Sequence, residues 1–225
     1  MTARVQQLTF DLAHRPAFGA EDFLVSGSNA QAVARIDGWQ EWPRASALLV
    51  GSRQSGKSHL AQVWRLKASA AFVAAADLDE SVAAACAGPL VVEDIDRGIA
   101  NERALFHLLN LAREHGRALL VTSARPAGEL AVALPDLRSR LRALPVIGIG
   151  PPDGELLRAV LVKLFADRQL AVEPHVIAHL ALHMEQSMAA ANRIVAAIDQ
   201  RSLEARRRVT RTLAAEVLAA DLGAE

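Results

Sequence analysis

The eight residues Gly51-Ser-Arg-Gln-Ser-Gly-Lys-Ser58 constrain this chain more than any other stretch of its 225 residues. The apolar run Ser-Ala-Leu-Leu-Val precedes them, and a stretch with helical patterning, 57–66, follows. Glycines let the backbone curl until successive N–H groups face one anion, and the start of a helix adds a favourable field. Lys57 then reaches the β- and γ-phosphates of a nucleotide, and the Ser58 hydroxyl is placed to bind Mg²⁺. Gly51, Ser52, Gln54, Ser55, Gly56, Lys57 and Ser58 form the expected phosphate cradle, with His59 next to it on the helix. A strand–loop–helix unit of this kind belongs in a parallel sheet, where ligands bind beyond the carboxyl ends of the strands.

The surrounding sequence agrees. Segments 45–50, 70–73, 90–92, 118–123 and 144–149 are short, apolar and without alternation, as strands buried on both faces are. Segments 57–66, 78–86, 102–115 and 128–134 carry helical spacing between them. Alternating strand and helix predicts a five-stranded parallel sheet with flanking helices. After Pro151-Pro152 the style changes, and 153–169, 173–184, 189–206 and 210–220 all predict helices. Asp153 suits the N-cap of the first, and Pro174 a first-turn position in the second. Three parts follow: a tail over 1–14, an α/β nucleotide-binding unit over 15–150, and a helical lid over 151–225.

Composition narrows the function classes. Basic and acidic residues balance at 25 each, so long-range attraction to nucleic acid or to a membrane is not the main design feature. Cys86 is the only cysteine, which excludes an internal disulfide and suits a reducing cytoplasm. No basic-then-apolar leader and no spanning run of about 18 apolar residues is present. His107 and His115 have no metal-ligand pattern around them, and Arg206-Arg207-Arg208 with Arg211 read as a solvated helix end. Trp39, Trp42 and Trp64 read as residues packed in the core or at the domain junction, with no recognition role.

A second polar element lies in Pro-Leu-Val-Val-Glu-Asp-Ile-Asp, residues 89–96. Carboxylates at a strand's end beside a phosphate loop hold Mg²⁺ and orient the attacking water. Register assigns Glu93 to the metal and Asp94 to the water, because a one-residue slip would flip the strand's faces. Glu is one methylene longer than the aspartate usual at the metal position, so slow intrinsic hydrolysis is expected.

Taken together, these residues resemble the AAA+ domain of the bacterial replication initiator DnaA, over about 15–220. Gly-Lys-Ser-His59-Leu60 looks like the initiator's phosphate loop. Phe18, Phe23, Val25 and Asn29 match its lead-in segment, which the resemblance places around the adenine. Leu-Leu-Val-Thr-Ser-Ala-Arg-Pro, 119–126, is similar to the sensor-1 strand, with Thr122 or Ser123 near the γ-phosphate. Leu-Arg-Ser-Arg-Leu, 137–141, matches the arginine-finger box, with Arg140 on the finger. Where the family carries a sensor-2 arginine, this chain has Ala189; Arg193, one turn on, is either its substitute at the nucleotide or an ordinary surface arginine.

The initiator's duplex-reading domain has no counterpart before Glu225, and the tail Gln-Leu-Thr-Phe-Asp-Leu, 7–12, stands where a helicase-interaction domain would be. In this the chain is similar to the Hda family, regulatory inactivators of DnaA. That resemblance implies ADP or ATP and Mg²⁺ as cofactors, and DnaA and the DNA polymerase sliding clamp (its beta subunit) as partners. DNA is then met only through the clamp, at the cytoplasmic replisome, with homo-oligomers open. Gln7, Leu8, Phe10 and Leu12 would fill the clamp's pockets as an extended peptide does; an N-terminal strand packed on its own domain is the other reading. The same residues also fit an ATP-driven helicase loader, or a clamp adaptor that stimulates no hydrolysis.

Overall fold

Leu48 and Leu49 face opposite ways, and that alternation organises the α/β unit. In the computed structural model, which describes residues 23–85, 87–205 and 207–222, the apolar runs form β1 Ser46–Gly51, β2 Ala71–Ala74, β3 Leu90–Glu93, β4 Leu119–Ser123 and β5 Val146–Ile149. They make one sheet of order β2-β3-β4-β1-β5, with every pair parallel. Leu48, Val92 and Val121 join one core with Leu105 and Leu109 of α4 Glu102–His115 and Leu137 and Leu141 of α5 Pro135–Arg142. Leu49, Val91 and Leu120 join a second core with Ile36 of α1 Ala30–Asp37 and Leu60 and Trp64 of α2 Lys57–Ala68. A short α3, Glu80–Ala85, connects β2 to β3. Trp64 is fully buried, stacked on Trp42 at 5.4 Å and edge-on to Trp39 at 6.0 Å, so the tryptophans tie α1 and the turns after it to α2.

After β5 come α6 Gly154–Asp167, α7 Pro174–His183, α8 Met188–Ala205 and α9 Arg211–Leu222. Their apolar faces meet in a separate core around Leu161, Phe165, Leu180, Val195, Ile198 and Val217. Asp153 caps α6 by accepting the Leu156 N–H at 2.8 Å, and Pro174 opens α7, as the sequence predicts. None of the helices among the described residues is long and apolar enough to cross a membrane.

The sequence reading departs from the structure in two places. The helix expected over 128–134 does not form: a single 3-10 turn, Ala127–Glu129, gives way to extended chain, and α5 starts at Pro135. Proline drives the preceding residue out of the helical region, and Leu134 has ψ 112°. The Glu102 carboxylate accepts the Ala133 and Leu134 N–H groups at 2.8 and 2.6 Å, so the extended run keeps its donors satisfied. The second departure is α1, a helix that the sequence patterning does not predict.

Candidate functional site

The sheet order brings the C-terminal ends of β1, β3, β4 and β5 to one edge, and the polar residues singled out above gather there. Gly51 closes β1; a Cβ there would lie 2.5 Å from Ser55 Oγ and 3.1 Å from Ile149 Cβ, so a side chain would have to displace both neighbours. Gln54 and Gly56 both have positive φ, 59° and 95°, which curls the loop into α2. Lys57 is buried, and its Nζ donates to the Gly51 and Ser52 carbonyls at 2.8 and 2.9 Å. An ammonium has three N–H donors, so a third remains for an anion. Burial lowers the Lys57 pKa, partly offset by Asp94, Asp96 and Glu93. Ser55 Oγ is buried with no hydrogen-bond partner among the described residues. Ser58 is exposed on the first turn of α2.

Glu93 ends β3, half-buried, and Asp94 follows in the left-handed region at φ 60°. The Asp94 N–H donates to Thr122 Oγ1 at 3.0 Å, and its carboxylate pairs with Arg97 at 3.1 Å. Thr122 and Ser123 are both fully buried at the end of β4, but they are not equivalent. Ser123 Oγ donates to the Arg125 carbonyl at 2.6 Å and accepts the Arg125 N–H at 3.0 Å, so its one proton is spent on the turn. Thr122 Oγ1 accepts the Asp94 N–H and donates to no described residue, so its proton is not committed to the turn. Asp96, named from sequence as one of three acids but given no role, accepts the Ala124 N–H at 2.7 Å and braces β4 against the acidic turn. No sequence signal pairs those two positions.

The lead-in residues divide the same way. Phe23 lies on the phosphate loop: its ring stands edge-on to His59 at 5.1 Å and 3.3 Å from where a Gly56 Cβ would be. Val25 is exposed. Asn29 is buried, and both ends of its amide are used inside the turn, from Nδ2 to the Leu24 carbonyl at 2.8 Å and from the Ser26 N–H to Oδ1 at 2.9 Å. It shapes the turn that carries Phe23. Arg193 is engaged within the lid, bidentate on Asp221 at 2.5 and 2.9 Å and 3.8 Å from Glu185. On α5, Arg138 donates to the Val132 carbonyl, whereas Arg140 extends over the Phe106 ring at 6.0 Å from its centroid. The tail residues Gln7, Leu8, Phe10 and Leu12, and Phe18, lie outside the described residues.

No family model matches the chain. Its backbone is similar to domain III of the replication initiation protein DnaA from Thermotoga maritima, with TM-score 0.74 and 17% identity over 91% of this chain and 97% of that one. DnaA from Aquifex aeolicus, solved with AMPPCP bound, matches with TM-score 0.67 and 16% identity over 85% and 68%. The RuvB Holliday junction branch migration motor of Thermotoga maritima matches with TM-score 0.68 and 14% identity over 91% and 72%. The fold is AAA+.

In this fold the residues present suit a nucleoside polyphosphate. A Cβ at Gly51 would press on Ser55 and Ile149, the helix N-terminus offers N–H donors, Ser55 Oγ is a buried hydroxyl without a partner among the described residues, and Lys57 supplies positive charge. Among the described residues no three His, Cys, Asp or Glu side chains form a metal cage. Mg²⁺ prefers one or two protein oxygens together with substrate phosphates. The Ser58 hydroxyl and the Glu93 carboxylate are of that type.

Proposed function

We propose that this AAA+ chain is a nucleotide-bound regulator of replication initiation, acting on DnaA while attached to the sliding clamp. ADP or ATP binds at Gly51–Ser58, where Lys57 and the loop amides hold the phosphates and Ser58 and Glu93 bear on Mg²⁺. Phe23 covers the loop beside His59, and Asn29 shapes the turn that carries it. Asp94 and Thr122 sit where a water would be oriented, but Asp94 is drawn toward Arg97 and Glu93 is the longer acid, so this chain's own turnover is slow. The 7–12 tail supplies the clamp address by alternate side chains in pockets. This reading rests on the sequence resemblance and on the site just described.

One observation carries it furthest. Arg140 is half-buried on α5, and its guanidinium makes no ion pair or hydrogen bond with a described residue, while Arg138 two positions away is spent on Val132. A guanidinium held on an aromatic face keeps its donors free for an anion. Supplied head-to-tail to the ATP of a neighbouring DnaA, Arg140 stabilises charge on the γ-phosphate oxygens. Arginine fingers of that kind accelerate hydrolysis by about 10³–10⁵.

The test follows ATP bound to DnaA in the presence of this chain and clamp loaded on DNA. The wild type accelerates its loss, and omitting the clamp removes most of the effect. Arg140→Ala binds ADP as the wild type does and loses the acceleration by about 10³-fold or more. Full acceleration by that variant would remove Arg140 from the reaction. No acceleration by the wild type would leave a clamp adaptor.

A further inference from the structure

We propose that the Asp153 carboxylate is a clasp that couples the phosphate loop to the orientation of the helical lid, a regulatory role that rests on the nucleotide reading above. The chain of contacts starts at Gly56, against which Phe23 lies, with His59 at the ring's edge. From Phe23 the backbone enters the 24–29 turn, which its own bonds stiffen. Asn29 links Leu24 to Ser26, and the Ser26 and Ser28 hydroxyls are 2.8 Å apart. This turn hangs on Asp153: Oδ2 accepts the Ser28 N–H at 3.1 Å. The other oxygen, Oδ1, accepts the Leu156 N–H at 2.8 Å, in the first turn of α6. One carboxylate therefore holds the nucleotide side with one oxygen and the lid with the other.

Its position gives the contact leverage. The lid has a core of its own, separate from the two cores on the sheet, and the chain joins β5 to α6 through Gly150-Pro-Pro-Asp153. The two prolines fix their own φ angles. Gly150 packs 3.5 Å below the Ser28 carbonyl, measured from where its Cβ would be. The clasp thus sits at the pivot, and a helix the length of α6, about 21 Å for its 14 residues, magnifies a small displacement there. A ligand that presses on the loop or on Phe23 shifts the turn, and Asp153 passes that shift to α6.

Two substitutions separate the clasp from the cap. Asp153→Asn keeps an N-cap acceptor but turns an amide donor toward the Ser28 N–H; Asp153→Ser keeps the cap and is too short to reach Ser28. Spin labels at Glu114→Cys and Gln200→Cys, both exposed, report lid orientation in the full chain with Cys86→Ser. Without nucleotide, both variants widen the distance distribution relative to the wild type, with Tm within about 2–4 °C; an unchanged distribution in both overturns the clasp. With Mg-ADP, the wild-type distribution shifts. The variants bind ADP within about 3-fold of wild type but do not shift. Variants that shift like the wild type, or that lose ADP binding altogether, overturn the coupling. Ser28→Ala keeps the backbone donor and behaves as wild type; a Ser28→Ala chain that behaves like the Asp153 variants counts against the N–H contact. A wild-type chain that binds no ADP overturns the nucleotide reading instead, because the nucleotide-free comparison tests the clasp by itself.

Discussion

Lys57 shows how a single side chain is caught between two demands. Burial disfavours its charge, while three carboxylates at the end of β3 and in the turn after it favour it, and its ammonium bonds two loop carbonyls. Replacing it by Met relieves the buried charge but strips the Gly51 and Ser52 carbonyls of a donor, so the two effects on stability oppose. ADP affinity carries no such compensation. Lys57→Met is expected to weaken ADP binding by about 10- to 100-fold, the size of a charge-assisted hydrogen bond. Tm should move by no more than about 2–4 °C, equivalent to a net of about 1 kcal/mol. Isothermal titration with thermal melts on the same samples checks both; an unaltered affinity would mean that the phosphates lie elsewhere. At this scale the sequence was informative wherever chemistry is contiguous. The loop residues are adjacent, so their grouping is legible. It could not separate Thr122 from Ser123, because the difference lies in which neighbour consumes each hydroxyl.

Elements were legible where both ends carry their own signals. The span 102–115 expected from helical spacing forms in full, because Asn101 caps α4 by accepting the Ala104 N–H at 3.0 Å and Gly116 ends it in the left-handed region. The same helix start does a second job. Glu102 reaches across to the Ala133 and Leu134 N–H groups, fixing the extended run that leads into α5 and hence the helix that carries Arg140. Asn101→Ala should cost about 1 kcal/mol, seen as a Tm lower by about 2–4 °C. A change confined to background noise would show that Glu102 alone holds this helix start. The helix wrongly expected at 128–134 failed for a related reason. Helical spacing was present there, but the donors were claimed by a carboxylate about thirty residues upstream in the chain, and Pro135 barred Leu134 from helical backbone.

At the scale of the molecule, the helical body has a core separate from those on the sheet, and one depressed carboxyl joins two of its helices. The Arg193 guanidinium holds the Asp221 carboxyl below its usual range and ties α8 to α9. A carboxyl whose folded pKa is depressed adds stability that is complete above its unfolded value and is lost as pH falls through the folded one. The lid should therefore loosen below about pH 4. All three tryptophans lie between 39 and 64, outside the lid, so helical circular dichroism should fall at a higher pH than tryptophan fluorescence changes. Asp221→Asn, which cannot form the ion pair, should flatten that acid step; an acid transition identical to wild type would place the sensitivity elsewhere, Asp153 and Asp79 being similarly depressed. What the sequence determined by itself was whatever short-range periodicity and local chemistry encode: the parallel sheet, the glycine-bearing turn between β1 and α2, the change of style after Pro151-Pro152, the cap at Asp153 and the first-turn proline of α7. What only the tertiary structure decided were pairings between distant segments: Asp96 with Ala124, Glu102 with Leu134, and Asp153 with Ser28, 125 residues apart. A hydrogen bond is set by distance in space, and those partners are neighbours only in the folded chain, not along the sequence.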